Sequence, residues 1–525
     1  MHGNIQNSTW QTQGLYIMHK PTISSVIALA LLGCGGGESG GGSQPAPLKY
    51  FTVDFLGTGT IQASDKNCQV FGYSPESSLG IKDTVVAYVT QPINTTSVQY
   101  EVFIHNANGG IVKHFTSIDL KVNRLRFTQS TIPEDGYLSF AYFQSSNRIT
   151  DVTTFAKSVL PDSFAIHAEG NRNSCLTPSG ANPQIKTVSG YIQRMSGPDL
   201  LSGFNTSHQN LDEITKNYAK DNPDNKAINF PSQQHPLLAL NYETKNSRIT
   251  SLKGFKFTPF SQRGVQGSPI VLDPVDGSTN GTWNSPAPEN FTIQNALLFV
   301  NGKKLLSNAN YAYLWQPLSL DNGSFSYAPS IGDENYYLYL KGRQVANGQP
   351  RYWGVQHVAQ GTNNRELNAD NILDKFPEQP EIKIETCSHS ENGQCITIDT
   401  GDLNAQQGIQ RVLVSTKRQS NNDQSIRHVF YTPIKNSIPT LKFNRTNIDD
   451  KLNTNATTFV SLLSTNVKAV QEAFLYQHQT LYSANAADLS VDAIPLLKNI
   501  AAQQDQQDLL KRQPYTWVWL EQEAE

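Results

Sequence analysis

Short apolar–polar alternations, broken at close intervals by Asn, Gly, Asp or Pro, restrict this chain more than any other feature. From Lys49 onward they recur as Val98–Ile104 (VQYEVFI), Leu138–Phe143 (LSFAYF), Ala296–Val300 (ALLFV), Tyr336–Leu340 (YYLYL) and Arg411–Ser415 (RVLVS). A period of two sends successive side chains to opposite faces of a strand, so each run buries one face against a partner layer. Runs this short, with turn chemistry between them, predict a mostly β protein built of sandwiches with a few short helices. Charged residues make up only 16% of the chain, below the usual quarter or so, and Asn, Gln, Ser and Thr supply the polarity. That balance suits an extracytoplasmic β protein. The net charge is −3 with no basic block, which gives no footprint for nucleic acid.

A weak internal repeat sharpens the expectation. Leu125–Ala156, Phe325–Ala359 and Leu441–Gln479 each read as a short strand, then a polar turn holding an isoleucine (Ile132, Ile331, Ile448), an acidic residue, and two strands joined by a polar loop. The pattern resembles the last three strands of an immunoglobulin-like or fibronectin-like sandwich, used three times. The resemblance implies tandem immunoglobulin-like β-sandwich domains at 49–180, 181–380 and 381–482, the second carrying an insertion or an additional small domain at 186–290. A segment 483–525 follows, with a helix within Ala484–Arg512 and a closing strand at Tyr515–Leu520. Leu211–Asp221 reads as a helix, and the repeat assigns Phe459–Gln477 to a hairpin.

Ahead of the sandwiches lies an apolar run, Pro21–Leu32, preceded by His19 and Lys20. It is shorter than the roughly 20 residues that span a bilayer, and it matches the apolar core of a secretory signal. Met18 is then the expected start, with residues 1–17 upstream of it. The run ends in Leu31-Leu32-Gly33-Cys34, which resembles the lipobox of bacterial lipoproteins. The resemblance implies a signal peptide ending at residue 33, with cleavage before Cys34 and acylation of its sulfur and new amino group. Several acyl chains give stable anchoring where one does not. Gly35 in place of Asp implies sorting to the outer membrane. Residues 34–48 (CGGGESGGGSQPAPL) form a Gly/Pro-rich tether. The Gly37–Gly41 string within it has the form of a serine hydrolase elbow but has no strand before it, so it is a chance match.

Five cysteines occur. With Cys34 assigned to lipid, Cys68, Cys175, Cys387 and Cys395 remain, and an oxidising compartment predicts disulfides. Cys387 and Cys395 bracket a turn, Glu391-Asn392-Gly393, and are expected to close a hairpin clip; Cys68 pairs with Cys175 by elimination. A zinc site is the rival reading there, with His389 the only nearby imidazole and no CxxC spacing.

No catalytic set, metal site or cofactor emerges. Asp273–Asn280 (DPVDGSTN) resembles the DPxDGS motif of metal-dependent sugar and inositol phosphatases, but the paired upstream glutamates and the WDxAA segment are missing. The string reads as a surface turn, with a structural Ca²⁺ the alternative. Eight dispersed histidines, among them His105, His114 and His428, show no metal spacing. The aromatics at 311–353 read either as sandwich core or as a ligand platform of Tyr313, Trp315 and Trp353. These features favour a non-enzymatic outer-membrane lipoprotein, periplasmic or surface-exposed, acting as a structural, coat or adhesive element, of which the coat of a sheathed flagellum is one form. Its expected partners are the membrane through the lipid anchor and a protein or a second copy of itself. A glycan- or ligand-binding lipoprotein is the alternative, and an envelope hydrolase comes third.

Overall fold

The computed structural model describes residues 47–525, except 63–71, 74–82, 171–186, 208–217, 221–225, 285–290, 307–309, 345–350, 370–381, 401–406, 417–424, 450–455, 478–491, 523–525 and a few shorter gaps. The chain is mostly β, and one strand pattern recurs through it. The first repeat contains β1 (Tyr50–Gln62), β2 (Gly72–Tyr73), β3 (Asp83–Val89), β4 (Val98–His105), β5 (Ile111–Phe115), β6 (Arg124–Thr128), β7 (Tyr137–Gln144), β8 (Ile149–Ala156) and β9 (Ser163–His167). One sheet runs β5-β4-β7-β8, and β1 pairs with β6 in the facing sheet. Alternation dictates which side chains meet. Phe51, Val53, Phe55 and Phe127 pack against Val102, Ile104, Leu138 and Phe140 in one core.

The second repeat contains β10 (Thr187–Gly190), β11 (Leu200–Asn205), β12 (Tyr218–Lys220), β13 (Ile228–Pro231), β14 (Leu237–Lys245), β15 (Arg248–Thr258) and β16 (Asp273–Pro274). Its sheet runs β12-β11-β14-β15-β16, and β10 pairs with β13. The third contains β17 (Asn280–Asn284), β18 (Phe291–Asn301), β19 (Ala312–Pro317), β20 (Ser324–Ser326), β21 (Tyr336–Gln344), β22 (Arg351–Gln360) and β23 (Glu366–Asn368). It orders β19-β18-β21-β22 against β17/β20. The fourth contains β24 (Ile382–Thr386), β25 (Gln394–Ile398), β26 (Gly408–Thr416), β27 (Ser425–Pro433), β28 (Ser437–Pro439), α1 (Thr446–Asp449), β29 (Ala456–Ser464), α2 (Lys468–Leu475), β30 (Leu496–Leu497), α3 (Ile500–Leu509) and β31 (Tyr515–Gln522). It orders β27-β26-β29-β31 against β25/β28.

The repeats do not form a string. β22 of the third pairs antiparallel with β31 of the fourth, and β27 of the fourth pairs parallel with β8 of the first, which produces one 12-stranded sheet. The second repeat joins through a face. Its Leu240, Tyr242, Leu252 and Phe255 share a core with Leu298, Trp315 and Tyr336 of the third. Residues Leu48–Glu525 accordingly constitute one compact unit.

Several expectations change. The stretch 186–290, expected as an insertion or an additional small domain, holds a further set of strands in the order of the others. The expected divisions at 181, 381 and 483 do not separate closed sheets, because the fourth repeat takes its last strand from Tyr515–Gln522. Phe459–Gln477 is not a hairpin. β29 supplies its first half, and α2 the second, since Val470, Ala473 and Phe474 are buried at helical spacing. Within Leu211–Asp221, Tyr218–Lys220 is a strand and the remainder falls outside the described residues. Within Ala484–Arg512, the described residues hold the short strand β30 and the helix α3, Ile500–Leu509. The repeat isoleucines behave alike: Ile132, Ile331 and Ile448 are all buried.

Candidate functional site

Cys34, Cys68 and Cys175 lie outside the described residues. Cys387 and Cys395 are joined as a disulfide across the β24–β25 hairpin, Cα to Cα 5.8 Å. The loop they close grips the first sandwich. Glu391 N donates to Asn108 O at 2.8 Å, and Asn106 Nδ2 donates to Glu391 Oε1 at 2.8 Å. Lys442 N donates to Gly109 O at 3.0 Å from the next loop. Gly109, at φ +83°, makes this approach feasible: a Cβ there would meet Thr440 O at 2.6 Å. Arg445 completes the clasp, with Nη2 2.5 Å from Glu101 Oε1, while Glu101 Oε2 lies 2.9 Å from His114 Nε2.

Behind the clasp, Phe443 packs between rings of both sandwiches, 5.1 Å from Phe103, 5.4 Å from His105 and 5.6 Å from His428. Both histidines are buried. Burial holds the His105 imidazole down at about 3; the Gly109 backbone offsets this in part and nearby His114 adds to it. Burial likewise pushes His428 well below its ordinary value, and proximity to His105 adds to the effect. His428 Nε2 lies 2.8 Å from Thr154 Oγ1.

On the opposite face of the sheet, Arg411 Nε donates to Asp492 Oδ1 at 2.8 Å with both side chains fully enclosed, and Tyr431 OH donates to Asp492 Oδ2 at 2.7 Å. An arginine on the same strand face as Ile409 and Leu413 was a visible sign of a buried charge; its partner, 81 residues away, was not.

The aromatic platform is internal. Tyr313 and Trp315 are 0% exposed and Trp353 is 1% exposed. The Trp315 indole N–H donates to Ser326 O at 2.7 Å, and its ring meets Phe255 of the second sandwich at 4.8 Å. Tyr313 OH donates to Pro236 O at 2.8 Å. Trp353 pairs with Leu520 across the β22–β31 seam and belongs to the core of the fourth sandwich. These residues therefore join sandwiches and present no stacking face to a glycan.

Asp273 is exposed and 3.8 Å from Lys256 Nζ. Asp276 closes a turn by accepting from Thr279 N at 3.0 Å. No glutamate pair accompanies these aspartates. Among the described residues, the one group of three metal-capable side chains is Cys387, His389 and Cys395. No helix among them is long and apolar enough to cross a membrane. No protein-family model matches the chain, and no curated protein matches it significantly.

Proposed function

We propose that this chain is a non-enzymatic lipoprotein of the bacterial outer membrane, anchored through Cys34, whose tether carries a block of fused immunoglobulin- or fibronectin-like sandwiches as a structural or coat element of the envelope. The shared 12-stranded sheet carries this reading. Tandem modules that only position separate ligand sites need no such fusion, whereas a load-bearing or lattice-forming element gains from it. The sandwich family is read from the recurring order: a β5-β4-β7-β8 sheet facing a β1/β6 pair suits the resemblance drawn from the sequence.

The two ends of the long sheet differ, and the difference favours association with a second copy. At one end β19 is covered: Asn205 Nδ2 donates to Leu314 O at 2.5 Å, Tyr242 OH to Trp315 O at 2.7 Å, and Ala312 N to Asp508 Oδ1 at 2.7 Å. At the other end β5 is the terminal strand, with Val112 51% exposed and Ile118, on the loop that follows, 73% exposed. Among the described residues no strand pairs with the outer edge of β5, and such an edge beside exposed apolar side chains is a pairing surface.

The test is expression of the full chain and of Cys34→Ser in a bacterial host, with fatty-acid labelling, membrane fractionation and cross-linking on intact cells. The proposal expects label and outer-membrane fractionation for the wild type, loss of both in Cys34→Ser, and cross-linked multimers of the anchored form. Unchanged fractionation of Cys34→Ser would refute the anchor; a strictly monomeric anchored protein would refute the coat.

A further inference from the structure

We propose that Cys387, His389 and Cys395 form a redox-gated site for a thiophilic d¹⁰ cation of the Zn²⁺ class, closed while the disulfide stands and opened by its reduction. The two sulfurs and an imidazole nitrogen lie within 4.8 Å of one another. His389 Nε2 is 3.1 Å from Cys395 Sγ, and Ser437 Oγ sits 3.2 Å from the same nitrogen. Two thiolates and an imidazole are the donor set that borderline-soft cations select.

The loop is held independently of the S–S bond, so reduction leaves its ligands in place. Cys387 N donates to Gly393 O at 3.1 Å and Gly393 N to Ser390 O at 2.9 Å. Ser390 Oγ donates to Thr440 O at 3.1 Å, Asn392 Nδ2 to Asp449 O at 3.1 Å, and Glu391 N to Asn108 O at 2.8 Å. Cys395 is anchored in β25 and buried, Cys387 is half-buried and His389 is exposed. A cation reaches the trio from solvent and keeps a fourth position for water, the arrangement of an open site.

The chemistry balances in two steps. A dithiol reductant gives two electrons and two protons to the disulfide, becoming a disulfide itself and leaving two thiols. Binding M²⁺ then releases both thiol protons to water as two thiolates and the neutral imidazole take the metal.

The test uses the full chain in detergent, reduced by a phosphine, freed of it under anaerobic conditions and titrated with Co²⁺ as the spectroscopic probe, then competed with Zn²⁺. The expected result is a thiolate-to-Co²⁺ charge-transfer band with tetrahedral d–d absorption in the reduced chain and none in the unreduced chain. Cys387→Ser should remove one equivalent of this signal. His389→Ala, an exposed position that leaves folding intact, should weaken Co²⁺ binding by more than about tenfold. Equal stoichiometry in reduced wild type and Cys387→Ser would assign the signal to other thiols and overturn the proposal. Unchanged affinity in His389→Ala would overturn it independently of any folding defect in the cysteine variant.

Discussion

Gly354 of β22 lies directly beneath the indole of Trp519 in β31, and a Cβ at position 354 would come within 2.3 Å of the ring. The two residues are register partners across the seam between the third and fourth sandwiches. Glycine in a strand interior is unfavourable unless something packs closely over it, and here the tryptophan does. Gly354→Val is expected to force the indole off the strand and to cost about 1–3 kcal/mol, the usual penalty of overpacking. Urea unfolding followed by tryptophan emission checks this, with an early red shift marking exposure of the seam.

The buried Arg411–Asp492 pair ties the segment before β30 to the middle of the long sheet. Asp492→Ala strands a guanidinium in the core, with an expected loss of about 3–5 kcal/mol, whereas replacing both partners by apolar residues should cost much less. A double-mutant cycle with Arg411→Met and Asp492→Leu measures the coupling. Additive losses would show that the pair does not hold the segment.

His105 makes acid sensitivity predictable in sign. Its folded-state value, near 3, lies below the unfolded value of about 6.5. The unfolded chain therefore binds the proton first. The contribution of neutral His105 is complete above about pH 6.5 and is lost progressively as the pH falls toward 3, reaching about 2 kcal/mol at pH 5. Asp151 and Asp508, both raised to about 6 by burial, pull in the opposite direction. The comparison that isolates His105 is wild type against His105→Phe. The variant should show a flatter acid limb in denaturant midpoints measured from pH 7.5 to 5.

Much of the fold was legible because strand alternation is a local signal. Tyr515–Leu520 read as a strand from six residues, and the repeat isoleucines marked three turns that the structure buries alike. The second sandwich lacks the repeat's signature, because the segment before β14, Ser232–Pro236, carries neither isoleucine nor acid, and only the long spacing pointed to an insertion or an additional small domain there. The clearer signal was the match between Arg148-Ile149-Thr150 and Arg248-Ile249-Thr250 at the start of β8 in the first repeat and of β15 in the second. α2 was misread because the repeat demanded a hairpin where the chain instead defers its last strand to residue 515. Tyr313, Trp315 and Trp353 were ambiguous for a different reason. Burial of an aromatic in an alternating run depends on which layer covers it, and Trp315 is covered by Phe255 of the second sandwich, which no local pattern around Trp315 announces.

The open edge at β5 predicts a change in association without loss of fold. Val112 occupies a bulge opposite the Ile104–His105 step, and Ile118 lies on the loop that follows. Ile118→Asp with Val112→Asp should reduce cross-linked multimers of the anchored protein severalfold while leaving the thermal midpoint within a few degrees, because exposed substitutions rarely exceed about 0.5 kcal/mol each. Size-exclusion chromatography and cross-linking of the pair of variants decide it.

Three of the four sandwiches are joined through backbone seams and the second through a shared core, and β31 is the strand that closes the seam between the third and the fourth. Hydrogen–deuterium exchange of the full chain, read by mass spectrometry on peptides covering 515–522, tests it most directly. Paired on both sides by β22 and β29, these amides should be protected as strongly as those of β21 and β26. Exchange within seconds, at the rate of an untethered segment, would show that β31 does not join the third sandwich to the fourth.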